Sequence, residues 1–184
     1  MLVEDTAIAG IRIITPKRFG DARGYFCEVY NAATWAAAGL HFSFVQDNHS
    51  LSRAAGVVRG LHFQVPPFAQ DKLVRVVRGR ILDVALDLRR RSPSFGRHVA
   101  VELSADTGRQ LLIPIGFAHG FCTLEPDTEV LYKVTAPYSA AHDRGVAFDD
   151  PALGLAWPVA ADAAITSPKD RTWPKLADAT DLFA

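Results

Sequence analysis

Two glycine-punctuated stretches hold the residues whose chemistry is most telling. The first runs Arg59-Gly60-Leu61-His62-Phe63-Gln64 and is followed by Lys72 and Gly79; the second is Gly108-x5-Pro114-x-Gly116-x2-His119. An imidazole can take a proton near neutral pH, and a lysine ammonium can hold the oxygen of an enolate. A pocket containing His62 and Lys72 would therefore suit proton abstraction beside a carbonyl. Farther on, Val130, Tyr132 and Val134 share one face of a strand pattern, with Leu131, Lys133 and Thr135 on the other. With the first face inward, the Tyr132 phenol enters the interior.

Strands must position these groups. Short alternating segments separated by Gly, Pro, Asn and Asp dominate the chain, and period-two alternation marks strands with one buried face. The clearest is Ile81–Leu88, where Leu82, Val84, Leu86 and Leu88 face one way and Asp83, Ala85 and Asp87 the other, after a turn at Arg78-Gly79-Arg80. Further strands are predicted near 10–16, 24–30, 42–52, 57–64, 71–78, 98–103, 110–115, 120–123, 129–135 and 145–148. Lys72 alternates with Val74 and Val76, which predicts an inward direction. So many short strands favour a sandwich or jelly roll. One helix is expected over Ala32–Ala38, capped by Asn31 and ended by Gly39 in the left-handed region. The segment after Asp149 carries Pro151, Pro158, Pro168 and Pro174 and reads as ordered loop. Arg89-Arg90-Arg91 reads as a solvated charge run. His41, His49, His98 and His142 read as surface or structural.

At 184 residues, 49% of them hydrophobic, the chain can bury a full core as one domain over 1–184, with the strands at about 10–150 and the tail 151–184 contributing to the site. Lys plus Arg and Asp plus Glu balance at 20 each, so no global field recruits nucleic acid or an anionic membrane, and any anion must be bound locally. No leader pattern or long apolar run is present, and Cys27 and Cys122 form no CxxC or disulfide framework. A cytoplasmic protein with buried thiols is expected.

The Gly108 to His119 spacing resembles the second motif of the cupin superfamily, except that Thr123 stands in place of its usual final Asn. The Arg59 to Gly79 stretch resembles the first, with Gln64 for the second His and Lys72 for the Glu of metal-binding members. Two imidazoles with an ammonium where a carboxylate should stand would lose ligands and gain repulsion, so neither a metal nor another cofactor is expected.

A narrower resemblance covers about Ile11 to Pro174. Phe19-Gly20-Asp21-Ala22-Arg23-Gly24-Tyr25-Phe26-Cys27-Glu28, Gln46-Asp47-Asn48-His49-Ser50, Gly60-Leu61-His62-Phe63-Gln64, Ala69-Gln70-Asp71-Lys72-Leu73-Val74, Ser92-Pro93-Ser94-Phe95-Gly96, Pro114-Ile115-Gly116-Phe117-Ala118-His119-Gly120-Phe121 and Ser167-Pro168-Lys169-Asp170 follow one another in order. So do Tyr132, Tyr138, Asp150-Pro151 and Trp157-Pro158. Together they are similar to the dTDP-4-dehydrorhamnose 3,5-epimerase family. The resemblance implies an all-β, cupin-type double-stranded β-helix (jelly roll) with one or a few short helices. It also implies inversion at C3 and C5 of dTDP-4-dehydro-6-deoxy-D-glucose.

By the same resemblance His62 would be the base, oriented by Asp170; Tyr132 the proton donor; and Lys72 the group near the C4 oxygen. Arg59 and Arg23 would hold the diphosphate, and Tyr138 would stack on thymine with Phe19 and Phe26 as further candidates. Glu28, Gln46, Asn48, His119, Asp143 and Lys169 would line the remaining site. A homodimer with exchanged N-terminal strands is implied, Arg23 and Glu28 completing the partner's site. Three other readings share these residues in part: a C3- or C5-only epimerase, a metal-dependent cupin, and a sugar-nucleotide binder without catalysis.

Overall fold

The computed structural model describes residues Met1–Ala184. Its strands are β1 (Leu2–Asp5), β2 (Arg12–Thr15), β3 (Arg18–Asp21), β4 (Gly24–Cys27), β5 (Gln46–Ser52), β6 (Val58–Gln64), β7 (Lys72–Arg78), β8 (Arg80–Asp87), β9 (His98–Ser104), β10 (Gln110–Ile113), β11 (Phe117–Thr123), β12 (Thr128–Val134) and β13 (Asp143–Gly145). A six-stranded sheet, in the order β1-β2-β10-β7-β12-β5, faces a five-stranded sheet in the order β13-β6-β11-β8-β9, and β3 and β4 pair as a separate hairpin. Every ladder is antiparallel. This is the expected all-β jelly roll.

Alternation decides what goes between the sheets. Val74 and Val76 of β7, Ile81 and Ala85 of β8, Phe117 and Phe121 of β11 and Val130 of β12 meet in the main core, against which Tyr132 packs. The opposite face of β8, with Val84, Leu86 and Leu88, is also covered: the C-terminal tail lays Leu153 and Ala179 over it. Both faces of β8 are therefore buried, and the face bearing Asp83 and Asp87 is the one that shares the interior with Ile81 and Ala85.

The single α-helix, α1 (Ala32–Ala37), is capped by the Asn31 side chain, which accepts from Ala33 N at 2.9 Å and Thr34 N at 3.2 Å. Gly39 beyond it has φ +76°. Trp35 of α1 packs with Tyr30 and Phe44 over Leu73 and Leu112, covering part of the outer face of the six-stranded sheet. Residues 42–45, expected as strand, instead precede β5 as the irregular segment that carries Phe42 and Phe44 to Trp35. Extended structure around 145 ends rather than begins at Gly145. The tail is ordered by three short 3-10 turns, Pro151–Leu153, Lys169–Arg171 and Leu176–Asp178.

Two expectations need correction. Arg89 is not part of a solvated run. Its guanidinium bonds to Asp87 at 2.9 and 2.7 Å and lies 4.4 Å over the Phe117 ring, leaving only Arg90 and Arg91 in solvent. Of the two thiols, only Cys122 is buried; Cys27 is intermediate.

The Asp87 carboxylate organises the loop that follows β8. Besides Arg89 it accepts from the hydroxyls of Ser92 and Ser94, each at 2.7 Å, and from the Arg89 backbone at 3.0 Å. Burial pushes this carboxyl up, but these donors outweigh it and hold the group at about 2. Because the folded value lies below the unfolded one, the contribution to stability is complete above pH 4 and is lost as pH falls through about 2. Asp87→Asn should therefore cost about 2–3 kcal/mol at pH 7, the scale of losing charged hydrogen bonds in a buried network. Urea titrations of both proteins should show the gap narrowing towards pH 2; an equal gap at both pH values would contradict the assignment.

Candidate functional site

A cavity of about 530 Å³ opens between the sheets, bordered by Arg59, His62, Lys72, His119, Tyr132 and Asp170. A second space of about 290 Å³ adjoins it at His62, Lys72 and Tyr132 and extends to Gln46, Asn48, Tyr138 and Asp143. His62 and His119 lie on the five-stranded sheet and Lys72 and Tyr132 on the six-stranded one, so the two pairs confront each other across the gap.

His62 stands opposite His119 in the β6–β11 ladder. Near it the two backbones approach so closely that a Cβ on Gly60 would lie 2.5 Å from Gly120 Cα; Gly60 also has φ +134°, which only glycine adopts readily. His62 Nε2 meets Asp170 Oδ1 at 2.5 Å. Asp170 comes from the tail, which a parallel bridge between Val57 and Ile165 aligns beside the start of β6. Its turn is fixed by Asp170 N donating to Ser167 O and Oγ, and Asp150, capping its own turn, accepts from Leu176 N at 2.8 Å. Burial pushes the Asp170 carboxyl up, but its bond with His62 and further donors bring it below the usual range. The carboxylate is therefore ionised and can stabilise an imidazolium.

Lys72 is buried, with Nζ donating to the His62 carbonyl at 3.2 Å. Desolvation pulls its ammonium down to about 8 against the opposing pull of Asp143 and Asp83. Tyr132 is pushed up by burial, so its phenol keeps its proton at neutral pH. His119 is buried and held down by desolvation, although its Nε2 contacts Asp83 Oδ1 at 2.7 Å. Asp83 was not among the sequence candidates. The signal available was an acid on the same strand face as Ile81 in a segment whose two faces are both buried, which the apparent polar face concealed.

The rim is a connected set. Gln46 Nε2 donates to Asn48 Oδ1 at 2.8 Å, and its Oε1 accepts from Tyr138 N at 3.0 Å. The Tyr138 hydroxyl reaches Asp143 Oδ2 at 3.2 Å, and Lys169 bonds to the same oxygen. Arg59 donates to Leu51 O at 3.2 Å and Ser52 Oγ at 3.4 Å, at the other side of the cavity. Gln64 is committed elsewhere: its amide bonds Phe68 O, Pro137 O and Ser139 N, and so ties two loops to β6. No three His, Cys, Asp or Glu side chains converge in an arrangement that could hold a metal ion.

Four sequence candidates do not line this chain's own cavity. Phe19, Arg23 and Phe26 belong to the β3–β4 hairpin, where both phenylalanines are exposed and Arg23 bonds Asp21. Glu28 accepts from Asn31 and Thr34 at the start of α1. Ser50 and Thr166, which sequence reasoning passed over, border the cavity with buried hydroxyls that have no partner.

The family model for dTDP-4-dehydrorhamnose 3,5-epimerase matches residues 5–178. The dTDP-4-dehydrorhamnose 3,5-epimerase of Sinorhizobium fredii is 51% identical over 178 residues, 97% of this chain and 91% of that protein. Among solved structures, the Bacillus anthracis dTDP-4-dehydrorhamnose 3,5-epimerase with TDP and PPi bound superposes with TM-score 0.91 at 50% identity, over 95% of this chain and 98% of that one. A Legionella pneumophila dTDP-6-deoxy-D-glucose-3,5-epimerase in complex with dTDP-4-keto-L-rhamnose gives 0.93 at 39% identity, over 99% and 97%.

Burial of Lys72 makes a prediction about stability that is independent of activity. Its value is lowered from 10.5 to about 8, so the charged ammonium opposes folding at all pH values below about 8, and the penalty fades as pH rises towards 10.5. Lys72→Met should accordingly be more stable than the parent at pH 7, by something on the order of 2–3 kcal/mol, with the difference shrinking by pH 10. Denaturant melts at the two pH values measure this, and a variant less stable at pH 7 would refute it.

Proposed function

The chain belongs to the dTDP-4-dehydrorhamnose 3,5-epimerase family, and we propose that its cavity carries out that inversion with His62 as base and Tyr132 as acid. The protein is an isomerase of the rhamnose pathway, converting dTDP-4-dehydro-6-deoxy-D-glucose to dTDP-4-dehydro-L-rhamnose. One observation carries the assignment of roles. An imidazole held by a buried carboxylate projects from one sheet, and a half-buried, protonated phenol projects from the other.

The 4-keto group acidifies the hydrogens on C3 and C5, because loss of either proton gives an enolate delocalised onto the carbonyl oxygen. His62 removes the proton and Asp170 stabilises the imidazolium that results. The Lys72 ammonium stabilises the enolate oxygen in surroundings with little water to screen it. Tyr132 then delivers a proton from the opposite side, so the centre inverts. A second cycle at the other carbon requires the sugar to shift while its nucleotide stays held at the rim. The electron sink is the substrate's own carbonyl, and this route calls for no metal or redox cofactor. The engagement of Gln64 by two loops and the ammonium of Lys72 support that reading.

The homodimer is part of the same proposal. Phe19, Tyr25 and Phe26 are 54, 61 and 69% exposed on a hairpin that pairs with neither sheet. A two-stranded hairpin is marginal by itself in water, and exchange with a second copy would cover it and bring Arg23, Glu28 and the two phenylalanines to the partner's rim. The two free thiols support a cytoplasmic setting, and the zero net charge argues against nucleic acid or an anionic membrane as a partner. No helix is long and apolar enough to cross a membrane.

Proton NMR of the reaction in deuterium oxide should show deuterium and inversion at both C3 and C5; exchange at one carbon alone would make the enzyme a monoepimerase. His62→Ala should lower kcat/KM about 10³-fold, within the range for loss of a general base, while dTDP binding changes little. Residual exchange near the parent rate would remove His62 from the mechanism. For the dimer, mixing unfolded Arg23→Ala and His62→Ala chains and refolding them together should recover activity neither has alone, because each mixed dimer would hold one intact site. Failure to recover any would argue against sites shared between subunits.

A further inference from the structure

The His62 ring is one-third exposed, and its carboxylate partner comes from a three-residue turn in a tail with no regular strand. A single hydrogen bond leaves an imidazole free to swing about it, so a second contact must fix the plane of the ring. Trp173 makes that contact. Its ring meets the His62 ring edge-to-face, with centroids 6.1 Å apart and planes at 67°. The indole does not border the cavity; it stands behind the base.

Its seat is a gap in β13. Gly145 pairs directly with His62 in the β13–β6 ladder, and a Cβ built on Gly145 would lie 2.5 Å from indole carbon atoms of Trp173. Gly145 has no left-handed backbone angle, so the indole, rather than the main chain, excludes a side chain there. The Lys169 ammonium stands over the indole, 5.1 Å from its centroid, while bonded to Asp143 of the rim. The indole N–H is buried with no hydrogen-bond partner, and its nearness is the least of the influences that lower the Asp170 carboxyl.

We propose that Trp173 is a positioning residue for the base: seated in the notch left by Gly145, its indole fixes the His62 ring against Asp170 and links it to the rim through Lys169. The proposal rests on the reading of His62 as the base. Orientation of a catalytic group within a fraction of an ångström governs the rate of a step more than substrate affinity, so the effect belongs in kcat.

The test is a mutant cycle on the full-length protein, read by steady-state kinetics and by the rate of solvent deuterium incorporation. Trp173→Ala should lower kcat about tenfold, with KM and dTDP affinity within about twofold of the parent, and Trp173→Phe, which restores an aromatic edge, should recover most of that loss. Gly145→Ala should reproduce the loss when Trp173 is present, because the indole must move, and should add little to Trp173→Ala, where the space is free. Unchanged kcat in Trp173→Ala, a loss shared equally with KM, or independent multiplication of the Gly145 and Trp173 effects would each overturn the proposal. If thermal melts show Trp173→Ala to be unfolded, Trp173→Phe and Gly145→Ala decide: parental kcat in Gly145→Ala overturns it. His62→Ala is run beside them. Full exchange in that variant would remove the base itself, whereas an inactive His62→Ala with an unaffected Trp173 series would remove only the positioning role.

Discussion

The contact between His62 and Asp170 joins residues 108 positions apart, and much of the molecule is arranged so that it can form. A carboxylate 4% exposed is tolerated only with partners, so the tail that brings it must be held in register with β6. It is held by separate means: the Val57–Ile165 bridge, the Asp150 carboxylate at two backbone amides, and the Trp157 N–H on Phe148 O at 2.7 Å. None of these is a long ladder. The segment that brings Asp170 is a run of prolines and 3-10 turns, ordered by scattered main-chain bonds and by side chains bonded to main chain.

The interior shows the same economy with charge. Asp83, His119 and Lys72 are buried within one barrel, an arrangement that an apolar core of equal volume would match or exceed in stability. Such a cluster is more characteristic of sites that must hold or move protons than of structural cores. Asp87 lies on the same face of β8 as Asp83, yet its partners are all in the loop that follows, so its charge serves folding of that loop. Two acids on one strand face thus have separate uses, decided by what reaches them.

Much of this architecture was legible in residue order. Alternation along β7 and β12 set Lys72 with Val74 and Tyr132 with Val130, and those faces are the inner ones; Asn31 and Gly39 marked both ends of α1. Legibility failed where a local pattern had a non-local cause. Asp83 looked solvent-facing because nothing in residues 80–88 reports that the tail covers the opposite side. Strand β1 carries Leu2, Val3, Glu4 and Asp5, mostly exposed, and exists because β2 offers an edge; β3 forms because β4 folds back on it. Arg89 sat in a triplet of arginines, and only the fold shows that one of the three has a carboxylate and a ring to occupy. The Trp173 contact was out of reach for the same reason, since it depends on an absent side chain at Gly145.

The hydrogen-bonded rim of Gln46, Asn48, Tyr138, Asp143 and Lys169 has one more implication. These groups are hydrogen-bonded to one another, so a ligand that arrives there exchanges partners rather than adding bonds, and the net gain per contact is small. A ligand of the right shape repays what it disrupts; a wrong one leaves charged groups stranded away from both water and each other. On the proposed reading the rim holds the nucleotide by exchange of partners, and only a well-matched one makes good what it breaks. Selectivity of this kind appears as rejection of near misses and not as exceptional tightness for the correct molecule.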